Sequence, residues 1–176
     1  VFKTDTNDAG FSNDAFGRLR VSNAQPIFDY IFANGLIPGI WEGTAFGAGT
    51  VTQNTTAFST ELNTTVASGT GYWAQSYAHT RYQSGVSTLF RMTFNMTALT
   101  AGLVMRMGKF TNQGAFPSNT GDGVYFEADG TALAVVRRTM TSGVGVEERV
   151  LQASWNMDKL NGTGPSGFTL DVTKAQ

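Results

Sequence analysis

GVYFEADGTALAVVRRT occupies residues 123–139 and sets one Asp-Gly pair between two strand-like runs. Asp129 and Gly130 form a dipeptide that tolerates the positive φ angles of a type I′ turn, whose twist matches that of two paired strands. Valine, tyrosine and phenylalanine precede the dipeptide, threonine and valine follow it, and all of these residue types are enriched in strands. The stretch therefore predicts an antiparallel β-hairpin.

The expected turn also predicts the register of this hairpin. A two-residue loop places Ala128 opposite Thr131. Counting outward by two residues gives the next facing pairs, Phe126 with Leu133 and Val124 with Val135. These four side chains are expected to share one buried face.

Alternation of apolar and polar residues predicts further strands. Phe90 to Thr97 alternates Phe and Met with Arg, Thr and Asn, and Leu103 to Met107 repeats the pattern after Gly102. A period of two residues is typical of a half-buried antiparallel strand, so these two runs are expected to be neighbours joined by a short turn. Similar patterns predict strands at Gly17 to Ser22, Val146 to Leu151 and Phe168 to Val172.

The pattern of the whole chain indicates its fold class. No stretch of ten or more residues carries a capped helical pattern, and Gly-rich turns separate short strands throughout. The predicted fold is all-β, an antiparallel β-sandwich with jelly-roll-like topology and an extended N-terminal arm. Residues 1–40 are expected to be the arm and first strands, which dock the chain, and residues 41–176 the sandwich domain.

Composition limits the classes of function. The chain has 176 residues, 41% of them hydrophobic and only 14% charged, against about 25% in an average soluble domain. A net charge of -1 offers no attraction for a nucleic acid, and no apolar run approaches the roughly 20 residues that cross a membrane. A surface with few charges favours association with neighbours, although an extracellular or halotolerant domain with a neutral surface is the alternative.

Sequence features that resemble catalytic or cofactor sites lack the context such sites need. Residues 162–167 match G-x-G-x-x-G, but a strand-like run follows where a dinucleotide site needs a helix, so we interpret them as a Gly-rich turn. Glu147 and Glu148 are adjacent and, on a strand, point to opposite faces, so they cannot act as paired carboxylates. His79 is the only histidine and the chain has no cysteine. No enzyme activity, cofactor or metal is expected.

The aromatic stretch from Tyr72 to Tyr82 is the one candidate ligand feature. On a strand, alternate residues line one face, which mixes rings with hydrogen-bonding groups and suits a sugar or a partner surface. The members of this candidate ligand or interface face are Trp73, Gln75, Tyr77, His79 and Arg81. The alternative places Trp73 and Tyr77 in the core with Tyr72 and Tyr82 at the rim.

Two stretches are more specific than composition. DAFGRLRVS, residues 14–22, and WNMDKLNGTGPSGFTLDVTKAQ, residues 155–176, resemble segments of a family of virion structural proteins of tailed bacteriophages. The resemblance implies an exterior component of the particle, assembled in the host cytoplasm, whose partners are copies of itself and other virion proteins. It also implies further strands after Gln176, so either those strands or a neighbouring copy would close the sandwich.

The first of these stretches is the candidate assembly contact. Phe16, Leu19 and Val21 would be apolar anchors on a neighbour, and Arg18 and Arg20 would pair with carboxylates or carbonyls. The alternative makes the same segment the first strand of the chain's own sheet.

Three functions follow in order of preference. The first is a structural, self-associating virion protein that serves as a tail fibre, an adaptor or a capsid decoration. The second is a lectin-like module of the phage tail that binds a host receptor or glycan through the Tyr72 to Tyr82 face. The third, a polysaccharide depolymerase, would need two cooperating carboxylates, which the strand pattern does not offer.

Overall fold

The computed structural model describes residues 12–13, 19–20, 26–79, 88–112 and 120–174. By contacts the chain divides into two compact units, 1–87 and 88–176. Strands and two single-turn 3-10 helices make up the regular structure of the described residues, so the all-β prediction is confirmed. No helix within them is long and apolar enough to cross a membrane. The separate expectation that residues 1–40 dock the chain stays a prediction.

The first unit contains three antiparallel strand pairs. Strand β1 (Ser12–Asn13) pairs with β2 (Leu19–Arg20), and β3 (Trp41–Phe46) pairs with β6 (Gly71–Ser76). Strand β4 (Thr50–Asn54) pairs with β5 (Ser59–Asn63), so this hairpin lies between β3 and β6 in the chain. A 3-10 helix, Phe32–Asn34, precedes β3.

The second unit is built on one four-stranded antiparallel sheet in the order β10-β9-β8-β7. Its strands are β7 (Val104–Asn112), β8 (Thr120–Asp129), β9 (Ala132–Thr141) and β10 (Val144–Leu151), followed by a 3-10 helix, Gln152–Ser154. Each strand pairs with the next along the chain, as expected where tight turns connect them. The strand predicted from Val146 to Leu151 is confirmed and begins two residues earlier.

The β8–β9 hairpin is confirmed, but its predicted register is wrong. Asp129 pairs with Ala132, so the two loop residues are Gly130 and Thr131. Only Gly130, with φ of 59°, has a positive φ, which is the pattern of a type II′ turn with glycine at its first central position. Asp129 thus ends the strand rather than opening the loop. Phe126 therefore faces Val135 instead of Leu133.

The next turn is the one with type I′ character. Ser142 and Gly143 connect β9 to β10 and have φ angles of 55° and 79°. A type I′ turn needs a positive φ at both central residues. The twist of this turn matches that of paired strands, so β9 and β10 stay in register over all eight residues of β10.

One face of the four-stranded sheet carries the main apolar core, here called the apolar face. Ala128 and Leu133 are buried there against Met96 and Val172, which come from segments outside the sheet. Six half-buried side chains pack against them: Phe94, Leu99, Met105, Met107, Phe126 and Leu170. The core thus covers the end of the face near the β8–β9 turn.

The four residues predicted to share a buried face do lie on one face, but only part of it is covered. Leu133 is 7% exposed and Phe126 is half-buried. Val124 and Val135 remain 54% and 40% exposed, because the flanking segments reach only one end of the sheet. The pattern predicted the direction of these side chains and not what covers them.

Two of the predicted strands form no ladder in the described residues. Met92, Phe94 and Met96 are more buried than the polar residues between them, as the alternation predicted, but no strand forms over 90–97. Its expected neighbour, β7, pairs with β8. The run from Phe168 to Val172 contributes a single bridge, Asn161 to Thr169, and its Val172 carbonyl accepts the Met96 N–H at 2.7 Å. These segments cap the apolar face rather than extending the sheet.

None of the four sheets closes on itself in the described residues, and each strand pairing is antiparallel. Open sheets leave edge strands whose backbone groups point away from the sheet. The second unit therefore presents two edges, β7 and β10.

Candidate interaction surfaces

The predicted assembly contact lies mostly outside the described residues. Phe16, Arg18 and Val21 are not among them. Leu19 and Arg20 form strand β2, where they pair with Asn13 and Ser12 of the same chain. This pairing matches the alternative in which the segment joins the chain's own sheet, and the docking role of the five residues stays a prediction.

The predicted aromatic face is divided by the end of a strand. Trp73 and Gln75 lie on β6, where Gln75 Nε2 donates a hydrogen bond to Glu42 Oε1 on β3. Tyr77 and His79 follow the strand and are exposed, and Arg81 lies outside the described residues. β6 stops because its partner β3 begins at Trp41, just after a turn at Pro38 and Gly39.

The placement of Tyr77 overturns its alternative assignment to the core. Its side chain is 50% exposed, whereas Tyr72 and Trp73 are half-buried on β6. A strand period of two residues cannot be extended past the last paired residue, which is Ser76. The described members of the predicted face, Trp73, Gln75, Tyr77 and His79, therefore do not share one strand face.

An aromatic cluster that the sequence did not predict lies nearby in the same unit. The Phe32 and Trp41 rings are 5.0 Å apart, and Tyr30 lies 5.0 Å from Phe32 and 5.4 Å from Trp41. Phe28 completes the cluster at 5.9 Å from Trp41. Aromatic residues at every second position, 28, 30 and 32, were the available signal, since an extended chain puts them on one side.

Residues 26–32 therefore have two unlike sides. The rings point to the cluster, while Ile27 and Ile31 are 72% and 75% exposed. The Tyr30 hydroxyl donates to the Gly35 carbonyl and fixes the turn before β3. The exposed isoleucines are apolar surface that a partner can cover.

The second face of the four-stranded sheet carries a network of ion pairs, here called the ionic face. Glu127 is 1% exposed and accepts hydrogen bonds from Arg106 on β7, at 2.8 Å, and from Arg149 on β10, also at 2.8 Å. Glu147 accepts from Arg138 at 2.6 Å and from the Tyr125 hydroxyl at 3.2 Å. The network spans all four strands.

Protonation equilibria on this face follow from the contacts. Burial alone would raise the pKa of Glu147, but hydrogen bonds from Arg138 and Tyr125 outweigh it and hold the pKa below its ordinary value. Burial and the neighbouring Glu147 charge raise the pKa of Tyr125. The hydrogen bond to Glu127 raises the pKa of Arg149, so all three groups keep their neutral-pH charge states.

This arrangement holds the strands together rather than positioning a reactant. The Glu127 carboxylate is saturated by two guanidinium groups and shielded from solvent, so it does not present a free acid or base. Glu148 points to the opposite face and pairs with Arg137 at 2.7 Å, which confirms that adjacent Glu147 and Glu148 face apart. Within the described residues no three His, Asp or Glu side chains gather as a metal site.

A cleft lies where β9, β10 and the following 3-10 helix meet the apolar face. It encloses about 420 Å³ and is lined by Val135, Val150, Ser154, Trp155 and Asn156. The Trp155 ring packs 6.3 Å from the Phe126 ring, and its Nε1 donates to the Val150 carbonyl at 3.1 Å. The tryptophan is thus fixed with one side open to the cleft.

The Gly-rich segment beside this cleft is a turn, as predicted. Asp158 accepts the backbone N–H groups of Leu160, at 2.7 Å, and Ser166, at 2.8 Å, which folds the loop back on itself. A Cβ at Gly164 would collide with the Asp158 carboxylate, so a larger residue there would have to displace the side chain that folds this loop. A hydrogen bond from the Ser166 side chain, together with the backbone bonds from Leu160 and Ser166, lowers the pKa of Asp158. No helix follows to bind a pyrophosphate within 155–174.

No family model, curated protein or solved structure matches this chain. Two surface features of the second unit bear on its function: the exposed part of the apolar face and the cleft at Trp155.

Proposed function

We propose that this chain is a self-associating structural component on the exterior of a tailed-bacteriophage particle. The observation that carries the self-association is the incomplete cover of the apolar face, where Val124, Val135, Val146 and Val150 are 40–54% exposed. Apolar residues exposed together on one face mark a surface that a neighbour can cover, and on this face the exposed Arg137–Glu148 ion pair lies among the valines. The virion assignment rests on the resemblance of residues 14–22 and 155–176.

Charge composition supports the same conclusion. Charged residues make up 14% of the chain, and on the second unit several of them are committed to pairs within the sheet. Few are left to keep copies apart by repulsion. In this proposal neighbouring copies supply the layer that completes a β-sandwich over the uncovered part of the apolar face.

The test is the protein content of purified particles of the virus that encodes this chain. Quantitative mass spectrometry is expected to find the chain in the particles, and its copy number separates hundreds of decorations from a tail part present in multiples of three or six. Electron microscopy with a labelled antibody is expected to place it on the outside. Absence of the chain from washed, infectious particles would contradict the proposal.

A second candidate function, glycan binding, is favoured by the Trp155 cleft rather than by the divided Tyr72 to Tyr82 stretch. A fixed indole beside the Ser154 hydroxyl and the Asn156 amide is the kind of wall on which a sugar ring stacks and hydrogen-bonds. Binding to a glycan array that is lost in Trp155→Ala and kept in Trp73→Ala would support this function. Equal binding by both variants would reject the cleft as its site.

A further inference from the structure

Strand β10 is an open edge of the four-stranded sheet. Ser142 and Gly143 form a two-residue loop, so the residues that flank it, Thr141 and Val144, are a hydrogen-bonded pair. Along β10, every second residue from Val144 onward therefore points its backbone N–H and C=O groups toward β9. The residues between them turn their N–H and C=O groups outward: Gly145, Glu147, Arg149 and Leu151. Among the described residues none of these four bonds to a backbone group beyond β10.

The two edges of the sheet differ in their protection against pairing. Edge strand β7 carries Lys109 and an irregularity between Phe110 and Asn112, both of which discourage another strand from joining. Strand β10 pairs with β9 without a bulge over eight residues and contains neither lysine nor proline. Its three charged residues, Glu147, Glu148 and Arg149, are paired within the sheet of their own chain. β10 is therefore the edge fitted to accept a strand.

The sequence of β10 decides which strand fits. A second copy related by a twofold axis perpendicular to the sheet adds its own β10 in antiparallel orientation, and residues directly opposite then share a face. Three registers centre the axis on the middle of the strand, at Glu147, Glu148 or Arg149. An axis at Glu147 places Glu147 opposite the partner's Glu147 on the ionic face, where the like charges repel. An axis at Arg149 likewise places two arginines opposite each other.

The register centred on Glu148 gives favourable pairs on both faces at either side of the axis. On the ionic face it places Glu147 opposite the partner's Arg149, twice, which is an attractive pair at each side of the axis. On the apolar face it places Val146 opposite the partner's Val150, at the close spacing of about 4.5 Å between Cα atoms that a pair without backbone hydrogen bonds has. These valines are 48% and 46% exposed in the single chain.

One like-charge contact remains at the axis, where Glu148 meets the partner's Glu148. Each of these carboxylates holds Arg137 of its own chain at 2.7 Å and is 63% exposed, so solvent screens this contact. Glu147 and Arg149 are only 25% and 38% exposed, so the like-charge contacts of the other two registers would be screened less. The axis thus gathers two ion pairs rather than two bare carboxylates, which reduces the repulsion. The same register puts the apolar faces of both copies on one side of the joined sheet, with one Val146–Val150 pair on each side of the axis.

From these complementarities we propose that β10 pairs with β10 of a second copy, centred on Glu148, to give an eight-stranded antiparallel sheet. The inference rests on the self-association in the proposed function and adds an edge-to-edge contact of stated register to the face-to-face contact proposed there. The outward backbone groups of β10 supply the hydrogen bonds, and the Glu147–Arg149 and Val146–Val150 pairs supply the specificity.

Engineered cysteines test the register directly, because the chain has no cysteine of its own. Glu148→Cys would place two sulfurs across the axis at a spacing that disulfides accept, so mild oxidation is expected to convert the chain to a covalent dimer on a non-reducing gel. Val146→Cys alone is the matched control, since its two copies would lie four residues apart along the strands, roughly 13 Å. Mixing Val146→Cys with Val150→Cys is expected to restore the cross-link.

Two double variants test the association without oxidation. Val146→Glu with Val150→Lys sets opposite charges at both valine pairs and is expected to sediment as a dimer. Val146→Lys with Val150→Lys differs from the first double variant only at residue 146. It sets like charges at both valine pairs and is expected to sediment as a monomer. Far-ultraviolet circular dichroism would check that both variants fold. Equal sedimentation of the two, or equal cross-linking of Val146→Cys and Glu148→Cys, would overturn the inference.

Failure of this inference is distinguishable from failure of the proposed function. A chain that is abundant in particles, yet does not cross-link at Glu148→Cys, would remain a virion protein that associates by another surface. A chain that cross-links as expected but is absent from particles would be a twofold-paired protein with a different role.

Discussion

Arg149 reaches across an intervening strand to Glu127, with its Nη2 2.7 Å from Oε1, although β9 separates the strands that carry them. Arg106 approaches the same carboxylate from β7 at 2.8 Å. Ala134, directly opposite Glu127 on β9, is small enough to leave the path open. One buried carboxylate thus connects both edge strands of the sheet.

Removal of this carboxylate is expected to cost much more stability than removal of an exposed one. Glu127→Ala leaves two arginines facing each other over a nearly buried site, and breaking such a pair costs about 3–5 kcal/mol in the free energy of unfolding. Glu148→Ala removes a pair whose members are both more than 60% exposed, and should cost at most about 1 kcal/mol. Urea unfolding of both variants measures the difference. Similar losses would mean that the ionic face does not stabilise the sheet.

Acid is expected to weaken the fold partly through Glu147. Hydrogen bonds from Arg138 and Tyr125, with the charge of Arg149 nearby, hold the folded pKa of Glu147 below its ordinary value of 4.5. The folded state then binds this proton less readily than the unfolded state, so the stabilisation is complete above pH 4.5 and is lost as the pH falls through the folded pKa. Unfolding midpoints between about pH 6 and pH 2 should fall less steeply for Glu147→Gln than for the unaltered chain. Equal slopes would contradict the assignment.

Glycines in the sheet are expected to differ in what they tolerate. A Cβ at Gly108 would lie 2.5 Å from both the Tyr125 Cα and the Val124 carbonyl oxygen, which are backbone atoms that cannot move without disturbing the ladder. A Cβ at Gly145 would lie 2.3 Å from Arg138 Nη2, the far end of a flexible side chain. Gly108→Ala should therefore lower the thermal unfolding midpoint much more than Gly145→Ala. The reverse order would show that the Arg138 position is the stricter constraint.

The division of the apolar face into covered and uncovered parts predicts a contrast between Leu133 and Val124. Leu133→Ala opens a cavity among Met96, Ala128 and Val172 and is expected to cost about 2–5 kcal/mol in unfolding free energy. Val124→Ala removes methyl groups that are 54% exposed and should cost less than about 1 kcal/mol. Denaturant unfolding of dilute, unassociated chain is the measurement. A comparable loss at Val124 would mean that this end of the face is covered after all.

Sequence patterns predicted the positions of strands best where one short turn connects two strands that pair with each other. Two runs flanking Asp129 and Gly130 became β8 and β9, yet the loop shifted by one residue because a type II′ turn needs only one positive φ. Alternation also predicted the buried side of Met92 and Met96. The same alternation predicted that residues 90–97 form a strand paired with β7, and this was wrong. In the described residues β7 pairs with β8, and residues 90–97 form no strand.

The candidate sites were predicted less well from the sequence than the strands were. The Tyr72 to Tyr82 face assumed a strand of eleven residues, and the partner strand that would sustain it begins too late, at Trp41. The ionic face was missed because its members, from Arg106 to Arg149, are spread over four strands. The pairing register of the four strands brings these side chains together. That register depends on the geometry of the connecting turns, which amino-acid composition does not specify.

The sequence by itself determined the fold class, the antiparallel hairpin and the direction in which alternate side chains point, because these depend on residues two to ten positions apart. Only the tertiary structure decided which faces are covered, which carboxylate is buried and which edge stays open. Those properties depend on contacts between distant segments, such as Met96 with Val172 and Glu127 with Arg149, and no local pattern encodes such contacts.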